Sequence, residues 1–320
     1  MIFGHSTARR QPCTPESFCS WSLKGILERW KECWRLAALP GPNEAATVKK
    51  FKHTTSTSPI EEQEREYNPK AGMRGKNVQW VPCSPVVLDK MLDMAKVTPD
   101  DYVIDPGSGD GRIVIKVAKM GARALGIESN PKLVALSKLN AKKEGVGDRA
   151  TFSVGDFFEA DFSEATVITL FLRKDLNIEL RPKILAMKPG TRVVSNIFDM
   201  GNWEADEVVE VEDDDYYFRN HTARLWIVPA NIEGLWKLPQ GELTISQTFQ
   251  MIGGTIKAGG KTVPIEGKVT GNRIDFAAGE RQYTGRVSGN RMTVETSDEN
   301  PVRWAAEFSE EAPTKGRGFF

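Results

Sequence analysis

Val103-Ile104-Asp105-Pro106-Gly107-Ser108-Gly109-Asp110-Gly111-Arg112 passes from a short apolar strand to an acidic residue, then through three alternate glycines into a helical pattern. Glycines at this spacing let the backbone turn sharply and approach a ligand closely, because no Cβ intervenes. On either side, strand and helix patterns alternate. Strands are expected at Tyr102–Asp105, Ala124–Glu128, Ala150–Val154, Thr166–Phe171 and Arg192–Asn196. Helices are expected at Pro85–Ala95, Gly111–Lys119, Pro131–Glu144 and Leu176–Met187, the first with Ser84 as N-cap and Pro85 in its first turn. Such alternation implies crossover connections and a doubly wound, largely parallel α/β sheet, Rossmann-like in layout. Val208–Val211 and Ala223–Val228 would close it with antiparallel strands.

The charges of the loop restrict its ligand. A dinucleotide loop places a pyrophosphate on the helix N-terminus. Here Asp105 and Asp110 would repel that group and suit a ligand carrying a sulfonium and an ammonium, which favours S-adenosylmethionine (SAM). Glu128 lies 17 residues beyond Gly111, about one helix and one strand further on, where a carboxylate can accept from both ribose hydroxyls. Thr151–Phe157 ends in Gly155-Asp156-Phe157. Asp156 is a candidate acceptor for the adenine amine, and Phe157 offers a backbone amide and an apolar wall. The bland alternatives are a surface glutamate at a strand end and a simple turn.

Composition excludes several classes. Lys plus Arg and Asp plus Glu are 43 each, so no global positive field exists to hold nucleic-acid phosphates, and no nucleic-acid partner is expected. The four cysteines (13, 19, 33, 83) and three histidines (5, 53, 221) show neither metal-ligand spacing nor a disulfide framework. Free thiols fit a reducing compartment and a cytoplasmic location. No run of 18 apolar residues spans a membrane, and no secretory segment is visible near the start.

The chain divides by texture into a leader over 1–66, an α/β domain over 67–230, a β domain over 231–309 and a tail over 310–320. The leader contains Lys/Ser/Thr-rich and charge-run segments with the composition of a solvated linker. Within it, residues 20–38 carry Trp21, Leu23, Ile26, Leu27, Trp30 and Trp34 near helical spacing among basic residues. That pattern fits a peripheral interfacial helix, and equally fits translated upstream sequence. Beyond Pro229 no helical period appears. Short alternating runs are separated by glycine turns, and Gly267–Ile274 matches Gly285–Met292 at an 18-residue offset, one hairpin unit used twice. Seven or eight antiparallel strands in a small barrel or sandwich are expected there.

Asp105-Pro106-Gly107-Ser108-Gly109-Asp110-Gly111 and Gly126-Ile127-Glu128 resemble class I SAM-dependent methyltransferases. Trp80-Val81-Pro82, the run from Thr166 through Lys183, and Lys188–Ser195 are similar to bacterial methyltransferases and to the mitochondrial lysine methyltransferases of ATP synthase c-subunit and the adenine nucleotide translocase. Dot-type histone lysine methyltransferases are a more distant likeness. The resemblance covers about residues 78–228. It implies that Asp105, Gly107, Ser108, Gly109, Asp110 and Gly111 line the methionine end of SAM. Glu128 would hold the ribose, Asp156 and Phe157 the adenine, while Trp80 and Pro82 wall the methyl group.

Two departures stand out: Pro106 where the family usually has Leu, and Arg173 where relatives are apolar or small. The loop Phe171–Asp175 lacks the Asn/Asp-Pro-Pro-Tyr pattern of many DNA and glutamine N-methyltransferases. Asp175 and Asp199 are the candidate catalytic carboxylates. Three readings stand: a protein lysine methyltransferase, a methyltransferase of a small molecule or lipid, and a non-catalytic module that binds SAM or a partner. The acceptor is thus a protein or a small molecule, and the sequence sets no oligomeric state.

Overall fold

The computed structural model describes residues 67–74, 79–214, 216–297 and 301–310. The proposed interfacial segment at 20–38 and residues 311–320 of the tail lie outside the described residues.

A two-stranded hairpin, β1 (Met73–Arg74) and β2 (Gln79–Trp80), precedes helix α1 (Pro85–Met94). Ser84 caps α1, its Oγ accepting from the amides of Val86 and Val87 at 3.2 and 3.5 Å. Next come β3 (Tyr102–Pro106), α2 (Arg112–Lys119), β4 (Arg123–Glu128), α3 (Pro131–Lys143) and β5 (Ala150–Val154). β6 (Val167–Leu170), α4 (Lys174–Leu185), β7 (Arg192–Asn196), β8 (Glu207–Glu212) and β9 (Asn220–Ile227) complete the domain. The seven-stranded sheet runs β5-β4-β3-β6-β7-β9-β8, parallel through β7, with β9 antiparallel to both β7 and β8.

One face is packed by Val87, Leu88, Met91 and Leu92 of α1, Val114 and Val117 of α2, and Val134 of α3. The other is packed by Leu180 and Ile184 of α4 with Phe162, Trp203 and Trp226. Sheet order reverses at β3, with β4 on one side and β6 on the other, so a crevice opens beyond the carboxyl ends of these strands. The glycine loop leaves β3 at that crevice.

A closed eight-stranded antiparallel barrel follows: β10 (Gly234–Leu238), β11 (Gly241–Thr248), β12 (Met251–Ala258), β13 (Lys261–Thr270), β14 (Arg273–Ala278), β15 (Arg281–Ser288), β16 (Arg291–Thr296) and β17 (Arg303–Glu310). β10 pairs with β17, so no edge remains open. Of the barrel and sandwich alternatives, the barrel is correct. Trp236, Leu243, Ile245, Val269, Ile274, Phe276, Met292 and Val294 fill its interior. The repeated unit is two successive hairpins with glycine at the first turn position, Gly271 and Gly289, at φ of 58° and 55°.

The barrel docks beside the start of β7. The Ala230 amide donates to the Gly271 carbonyl at 2.8 Å, and a Cβ on Gly271 would stand 3.2 Å from the Gly190 Cα. Phe249 stacks on Trp203 at 5.9 Å, the Arg181 guanidinium lies over the Phe249 ring, and Lys268 pairs with the buried Asp206 at 2.6 Å. Because Gly190 precedes β7, this contact is at the end of the sheet opposite the crevice.

Candidate active site

Gly107, Gly109 and Gly111 have φ of 77°, 56° and 81°, in the left-handed region that glycine occupies without strain. At two of them the missing side chain also makes room. A Cβ on Gly109 would lie 2.6 Å from the Trp80 Nε1, and one on Gly107 2.9 Å from a Leu172 methyl. The loop is pinned from α3, where the Ser137 hydroxyl donates to the Gly109 carbonyl at 2.9 Å and the Asn140 amide to the Asp110 carbonyl at 3.1 Å. Pro106 has no N–H to give, and the next two amides, Gly107 and Ser108, both donate to the Ile127 carbonyl, at 2.8 and 3.2 Å.

Asp105 is fully buried at the end of β3. Its Oδ1 accepts the Thr169 hydroxyl at 2.7 Å, while Oδ2 has no partner. Burial pushes its carboxyl up to about 7, aided by the charges of Glu128 and Asp110 and opposed by the Thr169 bond. Glu128 braces the loop: Oε2 accepts from the Gly109 amide at 3.1 Å and Oε1 from the Asn130 amide at 2.8 Å.

Asp110 corrects the charge count made from the sequence. Its two oxygens accept from Nε and Nη2 of Arg112 at 3.0 and 2.7 Å, so the pair is locally neutral. Desolvation works against the Arg112 charge, and the Asp110 carboxylate overrides it, raising the guanidinium above its usual range. Asp105 and Glu128 are therefore the unneutralised acids of the slot.

The slot over the loop is lined by Tyr67, Met73, Trp80, Pro82, Cys83, Asp105, Gly107, Ser108, Gly109, Asp110, Arg112, Glu128, Asn130, Phe157 and Phe171, among others. The sequence-predicted Asp105, Gly107, Ser108, Gly109, Asp110, Glu128, Phe157, Trp80 and Pro82 thus converge, and Gly111 supplies the left-handed N-cap of α2. Tyr67, Cys83, Arg112, Asn130 and Phe171 were missed. Asn130, directly before Pro131, carried the local signal of an N-cap, Cys83 and Arg112 adjoin the predicted Pro82 and Gly111, and Phe171 opens the loop Phe171–Asp175; Tyr67 alone of these five reaches the slot from a separated part of the chain. Burial pushes the Cys83 thiol up to about 12, so it is an inert wall group.

Four sequence-predicted residues do not line the slot: Gly111, Asp156, Asp175 and Asp199. Asp156 turns back on its own chain, its Oδ1 accepting the Phe158 amide at 3.0 Å. Asp175 is an exposed partner of Arg173, whose side-chain bond holds its carboxyl below the ordinary range. Arg173 is the N-cap residue of α4 and lies outside the lining too. Asp199 accepts from the Gly201 amide at 2.8 Å and pairs with Lys174; burial opposes these contacts, and together they hold it below its ordinary value. Position after a fourth or fifth strand suggested catalysis for Asp175 and Asp199; in the structure each stands in an ion pair outside the slot lining.

The slot fits SAM on its own terms. It presents a buried, unpartnered acidic oxygen at Asp105, an unpartnered hydroxyl at Ser108, a carboxylate at Glu128 and an apolar wall at Phe157. In this form the slot is narrow, about 90 Å³, against the roughly 300–1,000 Å³ of small-molecule sites. Trp80 lies over Gly109 at the roof of the slot. Among the described residues, no cluster of His, Cys, Asp or Glu could hold a metal ion.

Residues 105–207 match the model of the ANTKMT methyltransferase domain. A protein-lysine N-methyltransferase of Saccharolobus islandicus is 44% identical over 155 residues, covering 48% of this chain and 94% of that protein. The human lysine N-methyltransferase of the ATP synthase c-subunit is 33% identical over 130 residues, 40% of this chain and 55% of the relative. The mouse adenine nucleotide translocase lysine N-methyltransferase is 33% identical over 134 residues, 41% of this chain and 58% of the relative. The chain thus spans little more than half the length of these animal relatives. A solved RNA methyltransferase from Salinibacter ruber, in complex with S-adenosylhomocysteine, is 45% identical, covering 48% of this chain and 96% of that chain, with a TM-score of 0.44.

Fold and slot together define a class I methyltransferase that uses S-adenosylmethionine. More narrowly, the chain belongs to the family of protein-lysine N-methyltransferases.

Proposed function

We propose that this protein transfers a methyl group from SAM to the side-chain amine of a lysine in a protein. The observation that carries this reading is the 44% identity to the Saccharolobus protein-lysine N-methyltransferase over 94% of its length. The animal relatives, by their names, methylate lysines of ATP synthase and of the adenine nucleotide translocase, which supports a protein acceptor without naming this one.

Bound SAM supplies a methyl on a sulfonium, which leaves as a neutral thioether when the amine attacks in line. What remains for the chain is binding, alignment and exclusion of water. Asp105 and Ser108 would take the polar end of the donor, Glu128 the ribose and Phe157 one face of the adenine, with Asp156 outside the contact set. Trp80, Pro82 and Phe171 would wall the reacting centre. No free carboxylate stands at the acceptor-side wall among the described lining residues, so the lysine is taken to lose its proton to water before attack.

Incubation of the protein with methyl-labelled SAM and a cell lysate tests the assignment. Labelled protein that yields methyl-lysine on hydrolysis is expected. Label confined to the small-molecule or nucleic-acid fraction would overturn the lysine acceptor while leaving the donor in place.

A further inference from the structure

Arg112 joins parts of the site that sequence keeps far apart. Its Nε and Nη2 are held by Asp110 of the glycine loop. Its Nη1 donates to the Cys83 carbonyl at 3.0 Å, in the Trp80–Ser84 roof, and also to the Tyr216 hydroxyl, in the turn between β8 and β9. That turn packs against a wall residue of the slot. Phe218 meets the slot-lining Phe171 edge to face at 6.4 Å, and Tyr217 meets Phe218 at 5.0 Å. The turn has a second tie to the roof, the Ser84 hydroxyl donating to Asp213. Behind Phe218, His221 donates from Nδ1 to Asn196 at 3.0 Å, and Asn196 donates to the Cys83 sulfur at 3.9 Å.

These contacts have a mechanical consequence. Trp80 lies over Gly109 in the roof of the donor slot, so a donor seated on the glycine loop bears on the roof segment. The roof's carbonyl at Cys83, the loop's carboxylate at Asp110 and the turn's hydroxyl at Tyr216 all converge on one guanidinium. A planar group with its N–H donors in a fixed fork transmits such a shift, because it cannot re-aim one donor without moving the others.

We propose that Arg112 is a positioning residue that couples donor binding to the acceptor-side turn, through Asp110 and Cys83 on one side and Tyr216 on the other. The coupling is reciprocal: an acceptor docked on the turn changes donor affinity by the same factor, on the order of 5- to 150-fold for couplings of ordinary size. Tyr217 and Phe218 thereby become part of the acceptor mouth, with Tyr216 as the link to Arg112.

S-adenosylhomocysteine is the probe, with amide hydrogen exchange at residues 216–219 as the readout and calorimetry to confirm that it binds. In the unmodified protein, saturating S-adenosylhomocysteine is expected to change the exchange rates of these amides several-fold. Tyr216→Phe removes one hydroxyl and leaves Arg112 and Asp110 in place. It is expected to keep both the affinity and the ligand-free exchange within about twofold, yet lose most of the response. Arg112→Met should abolish the response. An unchanged rate at 216–219 in the unmodified protein, or a full response in either variant, overturns the coupling. Absence of S-adenosylhomocysteine binding to the unmodified protein would overturn the donor assignment as well, so the two failures are told apart.

Discussion

At the scale of single residues, the site depends on two acids, Glu128 and Asp105. Glu128 holds two loop amides in this form, and the same oxygens are those expected to meet the ribose. Glu128→Ala should weaken SAM binding by about 1.5–3 kcal/mol, the scale of hydrogen bonds to a charged group, or about 10- to 150-fold in calorimetry. Asp105 titrates near neutrality, at about 7, because it is buried. A cationic donor favours the ionised form and lowers that value. SAM affinity should therefore rise with pH up to about 7 and level off above it, with proton release on binding below that pH. Titrations in buffers of different ionisation enthalpy measure this release, and none would appear if Asp105 were already ionised throughout. The same raised value bears on stability with the opposite sign. Between the unfolded carboxyl's titration and about 7 the folded state binds the extra proton, so this residue's contribution falls as pH rises through that window. Asp175→Asn and Asp199→Asn, both at surface ion pairs, should leave kcat within about twofold.

At the scale of elements, local chemistry was legible where it is itself local. Ser84 and Pro85 start α1 as the sequence says, since a side chain capping the amides two and three residues on needs no tertiary partner. The parallel strands appear within a residue or two of their expected bounds, because each is a short apolar run bounded by turn residues. The 18-residue repeat also survives as structure. Gly267 and Gly285 hold equivalent places in it, and at each a Cβ would overlap the carbonyl oxygen of the neighbouring strand, Asp275 or Thr293. The sequence showed the repeat; why glycine stands there follows only from the close approach of coiled strands. Gly267→Ala should cost about 1–3 kcal/mol by overpacking, read as a lower denaturation midpoint of the barrel, whereas substitution at an exposed strand position such as Lys257 should cost little.

At the scale of the molecule, the barrel is fixed to the methyltransferase domain by contacts that no pattern announced. Trp203 is buried under Phe249, Gln250 donates to the Glu204 carbonyl at 2.8 Å, and Lys268 neutralises the buried Asp206. Phe249→Ala removes a partly buried aromatic ring from this junction and should destabilise the protein by about 1–3 kcal/mol in denaturant unfolding. Because the junction lies at the sheet end opposite the crevice, donor affinity in the folded variant should stay within about twofold. A large loss of SAM binding there would show that the barrel shapes the slot after all.

The sequence by itself determined the fold class, the donor loop and the position of Glu128, because strand period, glycine spacing and one helix-plus-strand interval are short-range quantities. Tertiary structure alone decided which charges are free. Asp110 is neutralised by a residue two positions away whose guanidinium is also aimed at Cys83 and Tyr216, and Asp175 and Asp199 are spent on surface pairs. It also brought Tyr67, Phe171 and the β8–β9 turn around one slot. Side chains so far apart in the chain meet only when the sheet is assembled, and burial, which sets the state of Asp105 and Cys83, exists only then.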